Sequence, residues 1–151
     1  MTDPGTGQPT VVLAGLRNAF RSATVKDVKL RSLIVDDSQT FLTSASRLLE
    51  SQGLEVVGTA TSSAEALDLA AEFSPDLALV DVELGDEDGI ALAGELCSRF
   101  PATRIVLISS YDRDEMQDLI AASSAVGFLP KSRLSGEAVR GLLNGDQRSA
   151  R

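Results

Sequence analysis

Leu33-Ile34-Val35-Asp36-Asp37-Ser38 and, further along, Leu77-Ala78-Leu79-Val80-Asp81 decide how this chain is read. Each begins as a short aliphatic run and ends abruptly in carboxylate, as a buried parallel strand does where it emerges from a sheet. In an open α/β sheet, ligands bind beyond the carboxyl ends of the strands, at the point where the strand order reverses. Two such ends that deliver Asp36, Asp37 and Asp81 to one crevice make a hard, oxygen-only pocket. Empty, it repels itself. A divalent cation that prefers oxygen, Mg²⁺ above all, relieves that repulsion.

Any one of these aspartates alone is more simply a solvated acid or a cap for the next helix. The set weakens that plainer reading. Ile105-Val106-Leu107-Ile108 is a third apolar run and ends in Ser109-Ser110; Gly127-Phe128-Leu129 is a fourth and ends in Pro130-Lys131. Successive strand ends therefore offer an acid pair, an acid, a hydroxyl and an ammonium. Together they can hold a metal, attack phosphorus and neutralise a phosphoryl group. A carboxylate attacking phosphorus gives an aspartyl phosphate, and such transfer asks for positioning and charge neutralisation more than for acid–base machinery.

The chain of 151 residues is sized for one ordinary domain with tails, and its 43% hydrophobic content is enough for a real core. A net charge of −8 argues against direct nucleic-acid binding, which needs basic patches. The absence of histidine removes histidine bases, histidine-built zinc sites and a phosphohistidine-donor role. Cys97 is the only cysteine, so no internal disulfide and no cysteine metal cluster is expected, and a small buried role suits it. No apolar stretch approaches the roughly 18 residues of a membrane span, and there is no signal-peptide pattern. The expectation is a cytoplasmic protein with no membrane attachment.

Residues 1–28 read as an N-terminal extension, disordered at first by its glycines and prolines, with a short helix over 11–20. From residue 29 to 145 strands and helices alternate. Strands are expected at 31–35, 54–59, 77–81, 104–109 and 127–129. The partial alternation of the second suits a sheet edge. Helices are expected from Ser38 to about Gln52 with Gly53 ending it, from a Ser62/Glu65 capping box to Phe73 before Ser74-Pro75, over 89–99, over 112–123 and over 135–143 with Gly145 beyond. Residues 146–151 are a tail. Five strands alternating with five helices imply an α/β, doubly wound parallel sheet with right-handed crossovers.

With these elements in place, the chain resembles the receiver domain of two-component response regulators, over residues 29–145. The matching pieces are Leu33 to Ser38, Asp76 to Val82, Asp88-Gly89, Ile108 to Tyr111 and Gly127 to Ser132. The last two are closest in pattern to receivers that precede helix-turn-helix output domains. No such domain follows here, which leaves open a stand-alone receiver and a part of a longer chain.

The resemblance implies a flavodoxin-like (βα)5 fold with strand order 2-1-3-4-5. It implies that Asp81 accepts a phosphoryl group from a histidine kinase or phosphotransfer protein. Asp36, Asp37, Asp81 and the backbone carbonyl of Glu83 would hold Mg²⁺. Ser109 would hydrogen-bond a phosphoryl oxygen, Lys131 would pair with the phosphoryl group or with Asp81, and Phe128 would be the aromatic switch residue. Self-phosphorylation from small donors and autodephosphorylation are expected, rather than an enzyme's turnover. A partner protein or a second copy of the chain, as a homodimer, would read the face of strand five and its flanking helices, with Phe128 rotating inward when the site is charged.

The chain departs from the family's pattern at Gly85, where a proline is usual, so a more mobile loop is expected there. Glu83 and Tyr111 stand at positions that in the family bear on phosphoryl lifetime. Three rival readings are weaker. A Mg²⁺-dependent phosphatase of the haloacid dehalogenase kind would want aspartate in place of Glu83 and a larger core. A pseudo-receiver that takes no phosphate sits badly with the intact set Asp36, Asp37, Asp81, Ser109 and Lys131. A nucleotide-binding fold lacks its Gly-rich loop after strand one.

Overall fold

The computed structural model of the protein describes residues 29–110, 118 and 120–145. The expected helix over 11–20, Tyr111, most of the expected 112–123 helix and the tail lie outside the described residues.

Five strands form one parallel sheet: β1 (Arg31–Val35), β2 (Glu55–Ala60), β3 (Leu77–Asp81), β4 (Arg104–Ser109) and β5 (Gly127–Pro130). Their spatial order is β2-β1-β3-β4-β5, the flavodoxin-like order expected. The chain leaves β1 outward to β2 and returns to the other side of β1 as β3, so the order reverses between β1 and β3. Val35 pairs with Val80 across that seam, which sets Asp36 and Asp81 side by side as the next residues of each strand.

Alternate strand residues face opposite layers. Leu33, Val35, Ala78, Val80, Ile105, Leu107 and Phe128 pack with α2 (Ser63–Phe73) and α3 (Gly89–Arg99) through Ala66, Ala70, Leu92 and Leu96. Ile34, Leu77, Leu79, Val106, Ile108 and Leu129 pack on the other face with α1 (Gln39–Ser51) and α4 (Gly136–Gly145) through Leu42, Ala45, Leu49, Val139 and Leu143. Both faces of β1, β3 and β4 are buried, which is why these strands read as unbroken apolar runs.

The helix ends follow their side chains. Ser38 Oγ accepts from Phe41 N at 3.2 Å and opens α1. The α1 end closes with Gly53 N donating to Glu50 O and Leu54 N to Leu49 O, a Schellman arrangement. Leu54, expected as the first residue of strand two, is used in that cap, and the strand starts at Glu55. The Ser62 cap of α2 is present, but Glu65 reaches back to Thr61 N at 2.8 Å rather than to Ser62 N. β2 is the sheet edge expected, though it is half-buried along most of its length rather than alternating. β5 reaches one residue further than expected, to Pro130, which pairs with Ser109. The last helix includes Gly145 instead of stopping before it.

The acidic segment after Asp81 is not a plain loop. Glu83–Leu84 pairs antiparallel with Glu87–Asp88 around Gly85-Asp86, and Gly85 (φ 62°) takes the turn. Glu87 Oε1 accepts from Ser63 N at 2.8 Å and ties this small hairpin to the start of α2.

Candidate functional site

Asp36 and Asp81 are 0% and 4% exposed at the ends of β1 and β3, while Asp37 beside them is exposed. One ligand oxygen from each of the three lies within 4.8 Å of the others. Local backbone holds the two buried carboxylates. Asp36 Oδ1 accepts from Ser38 N at 2.8 Å, and Asp81 Oδ1 accepts from Glu83 N at 3.0 Å. Each strand-end acid thus orients itself on an N–H two residues on, leaving its second oxygen for the pocket.

Lys131 takes both second oxygens. Its Nζ stands 2.6 Å from Asp36 Oδ2 and 3.1 Å from Asp81 Oδ2, with the side chain 18% exposed. Pro130 (φ −62°) and a 3₁₀ turn over Lys131–Arg133 aim the side chain from the end of β5 back across the sheet. Apart from this ion pair, buried Asp36 Oδ2 has no hydrogen-bond partner among the described residues. The electrostatics are finely opposed. Burial pushes the Asp81 carboxyl up from 3.8 to about 6, against the pull of the Glu83 N–H and Lys131, and the neighbouring Asp36 charge adds to the rise. For Lys131, burial pulls down, but the two carboxylates together outweigh it and the ammonium ends above its ordinary 10.5.

Ser109 is buried at the end of β4, one residue beyond Ile108, which pairs with Asp81. Glu83 has its N–H on Asp81 and its side chain exposed in the hairpin. Phe128 is 6% exposed, pairs with Leu107 across β4 and β5, and is already part of the buried layer that includes Leu107 and Leu92. An inward rotation of its ring has nothing left to bury in this state. The structure therefore brings Asp36, Asp37, Asp81 and Lys131 into contact range, sets Ser109 and Glu83 on adjoining strand ends, and places Phe128 in the core behind them.

One residue of this neighbourhood was not singled out from sequence. The Phe41 ring centroid is 4.5 Å from Lys131 Nζ. Its signal was its place in the first turn of the helix that follows the acid pair.

The donor set suits a hard divalent ion: three carboxylates, one with a buried oxygen whose sole partner among the described residues is an ammonium.

The comparisons with known proteins agree with this geometry. The chain is 35% identical over 107 residues to a protein-glutamate methylesterase/protein-glutamine glutaminase of Alkalilimnicola ehrlichii, covering 69% of this chain and 27% of that protein. It is 28% identical over 121 residues to the transcriptional regulatory protein LiaR of Bacillus subtilis, covering 78% and 57%. The chain thus spans between about a quarter and just over half the length of these relatives. Among solved structures, it matches the signal receiver domain of the response regulator NarL of Mycobacterium tuberculosis with a TM-score of 0.68 and 32% identity, covering 79% of this chain and 97% of that one. A Burkholderia pseudomallei response regulator, solved with a phosphorylated aspartic acid, calcium ion and citrate, matches with a TM-score of 0.69 and 26% identity, covering 81% and 71%. The family model of the response regulator receiver domain matches residues 32–139, from the strand before the acid pair to the last helix, and with it the chain belongs to the receiver domains of two-component systems.

Proposed function

We propose that this chain accepts a phosphoryl group on Asp81, with Mg²⁺, from the phosphohistidine of a histidine kinase or phosphotransfer protein in the cytoplasm. The receiver unit in this reading runs over 29–145, with 1–28 and 146–151 as extensions. The observation that carries it is Lys131 spanning Asp36 Oδ2 and Asp81 Oδ2 in a pocket with a third, exposed acid.

An oxygen of Asp81 attacks phosphorus. The new P–O bond forms as the P–N bond to the donor imidazole breaks, and the nitrogen keeps the electron pair. The Glu83 N–H on Oδ1 fixes the carboxylate plane, so that Oδ2 faces the pocket. Lys131, already on that oxygen, needs only to stay with it as charge accumulates on the phosphoryl group. Ser109 donates its hydroxyl to a phosphoryl oxygen. Asp36, Asp37, Asp81 and the Glu83 carbonyl would hold the Mg²⁺, which supplies positive charge next to the transferred group. Small donors such as acetyl phosphate serve in place of the protein donor, and water returns the site to the free carboxylate.

The change is then read on the face of β5, α4 and the neighbouring segment, by a partner protein or by a second copy of the chain. The relatives are named as a transcriptional regulator and a methylesterase, so the output of a receiver of this kind varies. Mass spectrometry after incubation with Mg²⁺ and acetyl phosphate should find one added phosphoryl group on the parent and none on Asp81→Asn. Equal labelling of the two would sink the assignment.

A further inference from the structure

We propose that Phe41 is a positioning residue for Lys131: its ring holds the ammonium on Asp36 and so sets how readily the pocket opens to a divalent cation. The inference rests on the reading of this pocket as a Mg²⁺ site.

Three contacts converge on one ammonium: Asp36 Oδ2, Asp81 Oδ2 and the Phe41 ring with its centroid 4.5 Å from Nζ. An ammonium over an aromatic face is attracted by the ring quadrupole; a leucine there fills space without attracting it. The ring is itself fixed. Phe41 N donates to Ser38 Oγ, Ser38 N donates to Asp36 Oδ1, and the ring packs against the core that includes Ile34 and Leu42. A short chain of bonds therefore runs from Asp36 through Ser38 to Phe41, and Lys131 closes it. Asp36 Oδ2 is the ammonium's closest partner, and Asp36 is one of the three acids that could hold the cation. Whatever holds Lys131 on that oxygen opposes a cation that seeks it.

Two readouts test this without reference to phosphorylation. In metal-free protein, the Lys131 ε-methylene protons should be displaced upfield by the ring current. Phe41→Leu should abolish that displacement and Phe41→Tyr should keep it. By NMR or calorimetric titration, Phe41→Leu should bind Mg²⁺ about fivefold more tightly, the worth of one partly exposed cation–π contact, while Phe41→Tyr stays near the parent. An undisplaced Lys131 in the parent overturns the proposal and needs no variant to fold. So does a Phe41→Tyr protein that behaves like Phe41→Leu, or a Mg²⁺ affinity indifferent to residue 41. Failure of Asp81 to take phosphate, with the Lys131 shift and the Mg²⁺ response as expected, sinks the phosphoacceptor reading and leaves this one standing.

Discussion

Asp81 carries a cost that the fold tolerates. Its carboxyl is raised from 3.8 to about 6, chiefly by burial. Between those values the folded protein binds more protons than the unfolded chain, so stability falls as pH rises through that window. Above about 6 the cost is complete, up to about 3 kcal/mol at the full shift. Lys131 acts elsewhere on the pH scale: its raised value gives stability that is present in full below 10.5 and lost only as pH climbs through the folded value. In chelator-treated protein, Asp81→Asn should therefore melt higher than the parent at pH 7, and the gap should close toward pH 4. Circular dichroism melts at both pH values check this; a parent more stable than the variant at pH 7 contradicts it. The acids, Ser109 and Lys131 were legible in the sequence because each ends an apolar run. Phe41 was not, because an aromatic residue in an amphipathic helix reads as core, and nothing in one dimension shows which cation lies across its face.

At the scale of elements, the start of α3 is bolted to the end of β3. Gly89 N donates to Val82 O at 3.0 Å, and Asp88 Oδ1 accepts from Ile90 N and Ala91 N. A Cβ on Gly89 would lie 1.7 Å from the backbone oxygen of Asp81, closer than any contact can be. Gly89→Ala must therefore shift α3 or Asp81 itself. It should lower stability by about 1–3 kcal/mol, the usual range for overpacking, and slow labelling of Asp81 by acetyl phosphate. Gly94, in the same helix with nothing within 4 Å of its added Cβ, is the control that should do neither. The sequence singled out Asp88-Gly89 as a matching piece without a reason for the pair; the close approach supplies one. Element types were legible because period and caps agreed. Boundaries slipped by a residue or two where one residue serves two elements, as Leu54 does, and the Glu83–Asp88 hairpin stayed hidden because two-residue strands have no period to read.

Strand order was legible across the whole molecule only through the family resemblance, which the residues at the strand ends carry; hydrophobicity alone does not distinguish one buried run from another. What passes between the pocket and the far edge of the sheet was not legible, because it depends on packing. The two buried layers meet the site differently. Leu107 pairs with Phe128, and Ser109 with Pro130, the residue before Lys131. A movement of Ser109 toward a phosphorylated Asp81, together with Lys131 leaving Asp36, would strain the carboxyl end of that pairing from both strands. Since the Phe128 ring is buried already, the answer has to be an exchange of packing at near-constant burial, not a gain of buried area. Such an exchange has a small free-energy gap, and a close-packed layer makes it discrete. With Mg²⁺ and beryllofluoride, amide shifts and hydrogen exchange should change at Asp81 and Ser109, continue through Phe128 and Leu129, and reach Val139 and Leu143 in α4. Val57, midway along the opposite edge strand, should change least. Changes that stop at the acidic pocket, or that spread evenly to both edges of the sheet, would show that the β4–β5 pairing does not carry the signal.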